Sequence, residues 1–327
     1  MKAISLFSGG LDSSLAIKVI QDQGIDVEAV HFLTPFGSRK SRDNAKGLAD
    51  ALGVRFKVFE TANDYIDMVK EPKHGYGKNI NPCIDCKIFM YRYAKIYMNK
   101  SEASFLITGE VLGQRPMSQY KRVLANMEKE SEMEGLVVRP LSATVLPATI
   151  PEKEGWIKRE RMFGFSGRSR KPQIALAKHY NITKYGTPAG GCLLTDISFT
   201  GKLRDTIKHS ECTPHDVELL RVGKHFRLSD NAKLIVGRNK EENEKLLKMA
   251  KEGDIYFTPV GVKGPVGTGR GKFDKEVLML ACRIIARYSD GDKDAKVKIA
   301  VDNYPSGNTD TLAVGRMQDQ LLCKFRI

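Results

Sequence analysis

The sequence predicts an α/β protein, with a parallel-sheet domain over residues 1–198 and a smaller α/β domain over 231–327. Three observations predict it. Short apolar runs alternate with amphipathic runs of helical length from Lys2 to Thr108, the rhythm of parallel strands covered by helices on both faces. A turn rich in glycine and serine, Ser8-Gly9-Gly10-Leu11-Asp12-Ser13-Ser14, joins the first apolar run to the first amphipathic one. A second alternation of strands and helices begins at Ala232.

In order, Lys2–Phe7 reads as a buried strand and Leu11–Gln23 as a helix. Asp26–Leu33 is a strand, Ser41–Leu52 a helix and Val54–Glu60 a strand. Ile84–Met98 is helical and Ser104–Thr108 a strand. Ligands of such sheets sit beyond the carboxyl ends of the strands, which places the glycine turn, Thr34 and Gly109-Glu110 along one rim. Residues 111–195 are irregular and hold many of the Pro, Gly and Arg residues. Phe199–Arg227 looks helical and charged, so residues 199–230 read as a connector. Beyond it come a strand (Ala232–Gly237), a helix (Glu241–Lys251), a strand (Ile255–Pro259), a glycine-rich loop (Gly261–Lys272), a helix (Asp274–Tyr288) and two strands (Lys296–Val301 and Leu321–Ile327).

The chain of 327 residues suits two domains. Its net charge of +14, from 53 Lys+Arg against 39 Asp+Glu, points to a polyanionic partner, either nucleic acid or an anionic surface. No apolar run approaches the ~18 residues of a membrane span, and the apolar start is too short for a signal peptide, so a cytoplasmic location is expected. The six cysteines, 83, 86, 192, 212, 282 and 323, are then expected to be reduced.

In the glycine turn, Gly9 and Gly10 let the backbone bend sharply and approach a ligand, and the next amides point outward at a helix N-terminus, where the dipole favours an anion. Ser8, Ser13 and Ser14 add hydroxyl donors. The turn is a phosphate or pyrophosphate cradle without the Gly-Lys-Ser/Thr ending of the Walker sequence. Asp12 would repel a bare phosphate, so it is expected to face Mg²⁺ or to cap the turn. Asn81-Pro82-Cys83-Ile84-Asp85-Cys86 is a C-x-x-C at a helix start, able to bind a metal or cluster or to act as an attacking and resolving pair. Cys192 follows Pro188-Ala189-Gly190-Gly191, a place for an exposed reactive or ligating thiol. Cys282 and Cys323 read as core residues, and Cys212 as a weak site candidate at a helix start.

The string Ser-Gly-Gly-x-Asp-Ser after an N-terminal strand resembles the pyrophosphate loop of the PP-loop ATP pyrophosphatases, which split ATP between the α and β phosphates and form adenylated intermediates. With Asn-Pro-Cys-x-x-Cys and the later Cys192, residues 1–196 resemble the tRNA thiouridine synthetases. Thr108-Gly109-Glu110-Val111-Leu112-Gly113-Gln114-Arg115-Pro116-Met117-Ser118-Gln119 is similar to the strand-end segment of the 4-thiouridine synthetase branch, and the Asn-Pro-x-x-x-Cys spacing is shared with the 2-thiouridylases. The resemblance implies an adenine nucleotide alpha hydrolase-like fold, Mg-ATP as co-substrate, and tRNA as substrate. It implies Ser8, Gly9, Gly10, Asp12, Ser13, Ser14, His31 and Gly109 at the nucleotide, and Asp12, Cys86 and Cys192 in catalysis.

In cluster-dependent members of this superfamily a C-x-x-C pair and one distant cysteine hold a 4Fe–4S cluster. Carried over, the ligands are Cys83, Cys86 and Cys192, with the fourth iron open for sulfur. The competing reading makes Cys86 and Cys192 a persulfide-carrying and resolving pair. The PP-loop begins at residue 8, without the RNA-binding region that precedes it in the standard enzyme, and no rhodanese-like domain is seen, which favours cluster-bound sulfide. The sulfur donor is expected to be sulfide or a cysteine desulfurase.

From Lys233-Leu234-Ile235-Val236-Gly237-Arg238-Asn239 onward the chain resembles the NFACT RNA-binding domain, though the histidine which that family places near loop 261–272 is missing. This domain would take over RNA binding. Within Ile157–Lys171 six basic residues flank Phe163 and Phe165, a pattern that suits phosphate contact and base stacking. The function implied is ATP-dependent tRNA thiolation, with 4-thiouridine favoured by residues 108–119. The alternatives are 2-thiouridine synthesis, an amide ligase acting on a small carboxylate, and an RNA-binding iron–sulfur regulator.

Overall fold

The computed structural model describes residues 1–183, 185, 192–292, 294–307 and 309–327; the Pro188–Gly191 run before Cys192 lies outside the described residues. The chain divides into two units, Met1–Asp196 and Ile197–Ile327.

In the first unit the apolar run predicted as the opening strand is β1 (Lys2–Leu6), followed by α1 (Leu11–Gln21), β2 (Asp26–Leu33), α2 (Arg39–Ala51), β3 (Arg55–Glu60), α3 (Asn63–Lys70), α4 (Cys83–Ser101), β4 (Phe105–Thr108), α5 (Lys121–Glu130), β5 (Val137–Val138), α6 (Ile150–Lys153) and α7 (Lys171–His179). The strands pair in the order β3-β2-β1-β4-β5, all parallel. Both faces are buried, as a parallel sheet requires. Ala3, Val27, Ala29, Phe105 and Ile107 pack with Leu15, Val19, Ala45 and Ala49 on one side. Ile4, Leu6, Val30 and Leu106 pack with Ile88, Tyr91 and Met98 of α4 and Met127 of α5 on the other. The strand order reverses between β1 and β4, so the ends of these two strands form the switch-point crevice where ligands bind in such sheets.

The second unit comprises α8 (Ile197–His209), α9 (Pro214–Leu219), β6 (Lys224–Ser229), β7 (Ala232–Val236), α10 (Lys240–Lys248), β8 (Ile255–Val260), β9 (Gly267–Gly271), α11 (Lys275–Arg287), β10 (Val297–Asn303), β11 (Thr309–Val314) and α12 (Asp319–Phe325). Its sheet is antiparallel, in the order β11-β10-β8-β9-β7-β6. Val277, Ala281, Cys282 and Ile285 of α11 fill the core with Phe226, Leu234, Phe257 and Ile299.

Four expectations are corrected in this unit. Residues 199–230, read as a connector, supply two helices and the edge strand β6, whose Phe226 and Leu228 face the core. The 261–272 loop contains strand β9, and its glycines serve packing: a Cβ on Gly269 would stand 2.6 Å from the Phe273 ring. The run Leu321–Ile327, read as a strand, lies mostly in α12, a reversal that short apolar runs invite because their periodicity does not separate the two states. Only Leu322 of that helix is buried, so Cys323 is exposed instead of a core residue, while Cys282 and Cys212 are buried.

Candidate nucleotide and thiol site

The glycine turn follows β1 directly. Gly9 has φ +73°, the left-handed region that side chains disfavour, and a Cβ there would stand 2.9 Å from the Ala45 backbone of α2. Gly10 is extended and opens α1 without any side-chain cap, so the first amides of the helix are left for a ligand. The Ser13 and Ser14 hydroxyls donate to the Gly10 carbonyl at 2.9 and 3.0 Å, and Ser8 Oγ lies 3.3 Å from Ser13 Oγ. These bonds fix the shape of a cradle whose outer member, Ser8, is exposed.

Gly109, at the end of β4, closes the crevice from the other side. A Cβ there would lie 2.4 Å from Ser13 N and 2.7 Å from the Asp12 carbonyl oxygen, both backbone atoms that cannot step aside. Gly109→Ala is therefore expected to displace the first turn of α1 and weaken ATP binding by about a hundredfold or more, with the displacement paid in backbone strain. Calorimetric titration with ATP checks this, and unchanged affinity would refute it.

Asp12 does not cap the turn. Its Oδ2 accepts from Gln114 Nε2 at 2.9 Å, Arg170 Nη2 stands 3.7 Å from Oδ1, and Gln173 Nε2 donates to Gln114 Oε1 at 3.1 Å. Three atoms of this group, Asp12 Oδ1, Arg170 Nε and Gln173 Oε1, are buried and have no hydrogen-bond partner. Each such atom costs about 1–3 kcal/mol, so a cluster of them marks a place prepared for a ligand. Two hard oxygens beside a guanidinium suit Mg²⁺ together with a phosphate.

His31 is buried on β2, and its Nδ1 lies 2.9 Å from the Phe7 carbonyl. A carbonyl only accepts, so Nδ1 carries the proton, and burial lowers the pKa so that the ring is neutral. His31 thus bears on the cradle through the backbone that leads into it.

Glu110 follows Gly109 and is buried. Its Oε2 accepts from Tyr91 Oη at 2.7 Å, Thr108 Oγ1 at 3.1 Å and Arg139 Nε at 3.1 Å, and Lys87 Nζ is 3.6 Å from Oε1. Burial alone would raise its pKa, but Lys87, Arg139 and Tyr91 together hold it at about 2.

Lys87 leads to the cysteines. Cys83 and Cys86 occupy the first turn of α4 and are half-buried, and Cys86 Sγ accepts from Tyr65 Oη at 3.0 Å. Burial pushes the Cys86 thiol up to about 11, with Tyr65 and Lys87 opposing and Cys192 and Cys83 adding to the rise. Burial also raises Cys83, against Arg115 and Lys87. Cys192 is exposed, and Cys83 and Arg115 both act on its thiol. The three cysteines of the C-x-x-C and the later loop therefore share one neighbourhood, and Asn79 pins the turn after Cys192 by donating to Thr195 O at 2.7 Å. Gln114, bonded to Asp12, and Arg115, felt by the thiols, are consecutive residues, so the 108–119 segment links cradle and cysteines.

Among the described residues, no group of three or more His, Cys, Asp or Glu side chains stands at metal-holding separation. The expected trio Cys83, Cys86 and Cys192 shares one neighbourhood, and burial raises the thiols of Cys83 and Cys86. It follows that alkylation of Cys86 should stay slow until the pH nears 11, where its thiolate forms. Mass-spectrometric mapping of iodoacetamide adducts against pH measures it, and rapid Cys86 labelling at neutral pH would contradict the assignment.

The basic stretch does not offer its aromatic residues to RNA. Phe163 and Phe165 stack on each other at 4.9 Å and pack against the first core. Arg159 binds Glu152 and the Leu146 carbonyl, and Arg170 faces Asp12, while the other basic residues of the stretch, Lys158, Arg161, Arg168 and Lys171, are exposed. The contribution of Arg170, Gln173 and Tyr65 to the site was missed in the sequence. Arg170 lay inside a charge run, and nothing local marks Gln173 or Tyr65.

Fold and site together define an α/β nucleotide-type domain with thiols at its crevice, joined to a second, antiparallel-sheet domain. Residues 1–144 match the family model described as thiamine biosynthesis protein (ThiI), and residues 223–326 match that described as NFACT protein RNA binding domain. The first unit is thus similar over residues 1–144 to ThiI, and the second over residues 223–326 to the NFACT RNA binding domain. A tRNA-specific 2-thiouridylase MnmA of Marinobacter nauticus is 23% identical, covering 89% of this chain and 80% of that protein. A probable tRNA sulfurtransferase of Ureaplasma parvum is 32% identical over 43% of this chain and 37% of its own length, so the chain spans about a third of that relative. A solved structure described as a predicted subunit of tRNA methyltransferase from Methanocaldococcus jannaschii has a TM-score of 0.34 at 19% identity, covering 55% of this chain and 76% of that one, a likeness too weak to bear on function.

Proposed function

We propose that the chain is an ATP-dependent tRNA sulfurtransferase that makes 4-thiouridine. The observation that carries it is the trio of buried, unpartnered atoms on Asp12, Arg170 and Gln173 beneath the glycine cradle, in the same unit as the three converging cysteines. The cradle amides and Ser8, Ser13 and Ser14 bind the ATP phosphates, Gly109 gives the close approach, and His31 steadies the loop. Asp12 and Gln173, whose buried oxygens lack partners, would hold Mg²⁺, which would neutralise phosphate charge. The two ThiI-type and thiouridylase-type relatives named above, whose printed names concern tRNA sulfur transfer, support the choice of substrate.

The uridine carbonyl oxygen attacks the α-phosphorus, the bond to the β-phosphate oxygen breaks, and pyrophosphate leaves. The ring carbon now carries AMP as a leaving group. A persulfide on Cys192, loaded by an external donor (sulfide with an oxidant, or a cysteine desulfurase), attacks that carbon through its outer sulfur, and AMP departs. The Cys86 thiol then attacks the Cys192 sulfur and passes its proton to the departing sulfur, which frees thiouridine and leaves a Cys86–Cys192 disulfide for an external thiol to reduce. The chain contributes mainly positioning and charge stabilisation. The target base must be unpaired or flipped out to reach the crevice.

A second reading, a 4Fe–4S cluster on Cys83, Cys86 and Cys192, is favoured by the mutual proximity of those thiols. Both readings are tested by nucleoside mass spectrometry on protein, unmodified tRNA, Mg-ATP and a persulfide donor or sulfide, with iron and acid-labile sulfide assayed on the same anaerobically prepared protein. Thiouridine that requires ATP supports the function, and its retention time separates the 4-thio from the 2-thio isomer. Turnover with a persulfide donor and no iron supports the thiol pair; turnover only with stoichiometric iron supports the cluster. No thiouridine under either condition would sink tRNA thiolation and turn attention to a small-carboxylate ligase.

A further inference from the structure

A cavity of about 290 Å³ lies within the second unit, between α8 and α9 and the face of the sheet formed by β6, β7 and β9. The register explains its floor. His225 and Arg227 of β6 pair with Ile235 and Lys233 of β7, and Lys233 pairs in turn with Arg270 of β9, so these side chains share one face. Leu219, Leu220 and Ile235 supply an apolar wall.

The polar groups of the floor are incompletely satisfied. His225 is 1% exposed, and its Nε2 lies 2.9 Å from the Val222 carbonyl, which places the ring proton on Nε2. Nδ1 is then a lone pair, buried and without a partner. Burial drives the pKa well below the ordinary histidine value, with Lys233 and Lys202 adding to the effect, so the ring stays neutral and accepting. Beside it, Lys233 Nζ donates to Thr206 Oγ1 at 2.9 Å and contacts Asp205 at 3.1 Å, which occupies two of its three N–H groups. The two lining guanidiniums are already neutralised: Arg227 is held bidentate by Asp205, and Arg270 by Asp254 and Asp216. A bare anion finds no free guanidinium here. The floor asks for a ligand with an N–H donor beside a carbonyl acceptor, on a flat ring that can lie against leucine and isoleucine.

We propose that this cavity binds one unpaired RNA base through an N–H/C=O edge, the edge that uracil and guanine present and that cytosine and adenine reverse. His225 Nδ1 accepts the ring N–H, Lys233 donates to the carbonyl, and Lys272, exposed among the lining residues, faces the backbone side. The proposal rests on the RNA-binding character of this unit and goes beyond it by assigning a base-reading pocket.

Fluorescence anisotropy with the full chain tests it, using short oligouridylate, oligocytidylate and oligo-3-methyluridylate of equal length. Oligouridylate is expected to bind about tenfold tighter than oligocytidylate, a preference lost on 3-methylation, which removes the ring N–H. Ser210→Trp, which fills the cavity from an exposed lining position, should erase the same preference and leave the salt-dependent affinity common to all the oligomers. Equal binding of all three oligomers, a preference that survives 3-methylation, or one that survives Ser210→Trp would each overturn the pocket while leaving RNA binding intact. A preference abolished by saturating inorganic phosphate would make the occupant an anion and also overturn it. Failure of every oligomer to bind at low salt would instead overturn the RNA-binding reading of the unit, and the pocket with it.

Discussion

If the proposed function holds, Cys192→Ala is expected to lower the rate of thiouridine formation by about a thousandfold or more, while ATP binding stays within about twofold of the parent. The two readouts separate because the residues sit on different parts of the crevice. The cradle is built from the backbone of Gly9 and Gly10 and the hydroxyls of Ser13 and Ser14, none of which contacts Cys192 in the bonds that shape it. Cys192 is exposed, so truncation of its side chain leaves no buried cavity. A thiol that carries the transferred sulfur has no substitute in alanine, whether it holds a persulfide or ligates a cluster. Single-turnover assays with tRNA, read by nucleoside mass spectrometry, together with ATP titration of the same preparation, check both halves. A variant that keeps more than about a tenth of the parent rate would remove Cys192 from the sulfur path and leave Cys83 and Cys86 as the chemical pair.

The parts of this site legible in the sequence are those whose chemistry is local. The glycine turn could be read because a strand, two glycines and a helix start are consecutive, and the geometry of Gly9 and the uncapped first turn of α1 follow from those few residues. The close approach of Gly109 could be placed on the same rim because parallel strands end at a common edge. What stayed hidden depends on partners distant in sequence. Arg170 looked like one more cation in a basic stretch until it was found beside Asp12, and Tyr65 gave no sign that its hydroxyl would meet Cys86. Phe163 and Phe165 resembled base-stacking residues because they stand among arginines, but their neighbours in space are the core of the first unit. In the second unit, β9 was hidden because its glycines match a loop signal, although the rings of Phe257 and Phe273 leave no room for anything larger at Gly269.

Glu110→Ala is expected to destabilise the first unit by about 3–5 kcal/mol. The size comes from what is left behind. Arg139 is 5% exposed, and among the described residues Glu110 is one of two carboxylates holding it, the other being Glu128. Removing Glu110 also strips the acceptor from Tyr91 Oη, itself fully buried. Glu110→Gln keeps the shape but removes the charge, so it should recover the packing and only part of the loss. The same network makes a statement about pH. The Glu110 carboxyl titrates at about 2 when folded, against an ordinary value of 4.5, so its contribution is fully present above the unfolded value and is lost as the pH falls through the folded one. Urea denaturation of the parent and both variants at neutral pH and at successively lower pH measures the two effects together. If the gap between parent and Glu110→Ala is wide at neutral pH and narrows as the solution is acidified, the buried charge is the source. A gap that does not change with pH would mean that the loss is one of packing alone, and Glu110 would then position Gly109 and Lys87 by its bulk and not by its charge.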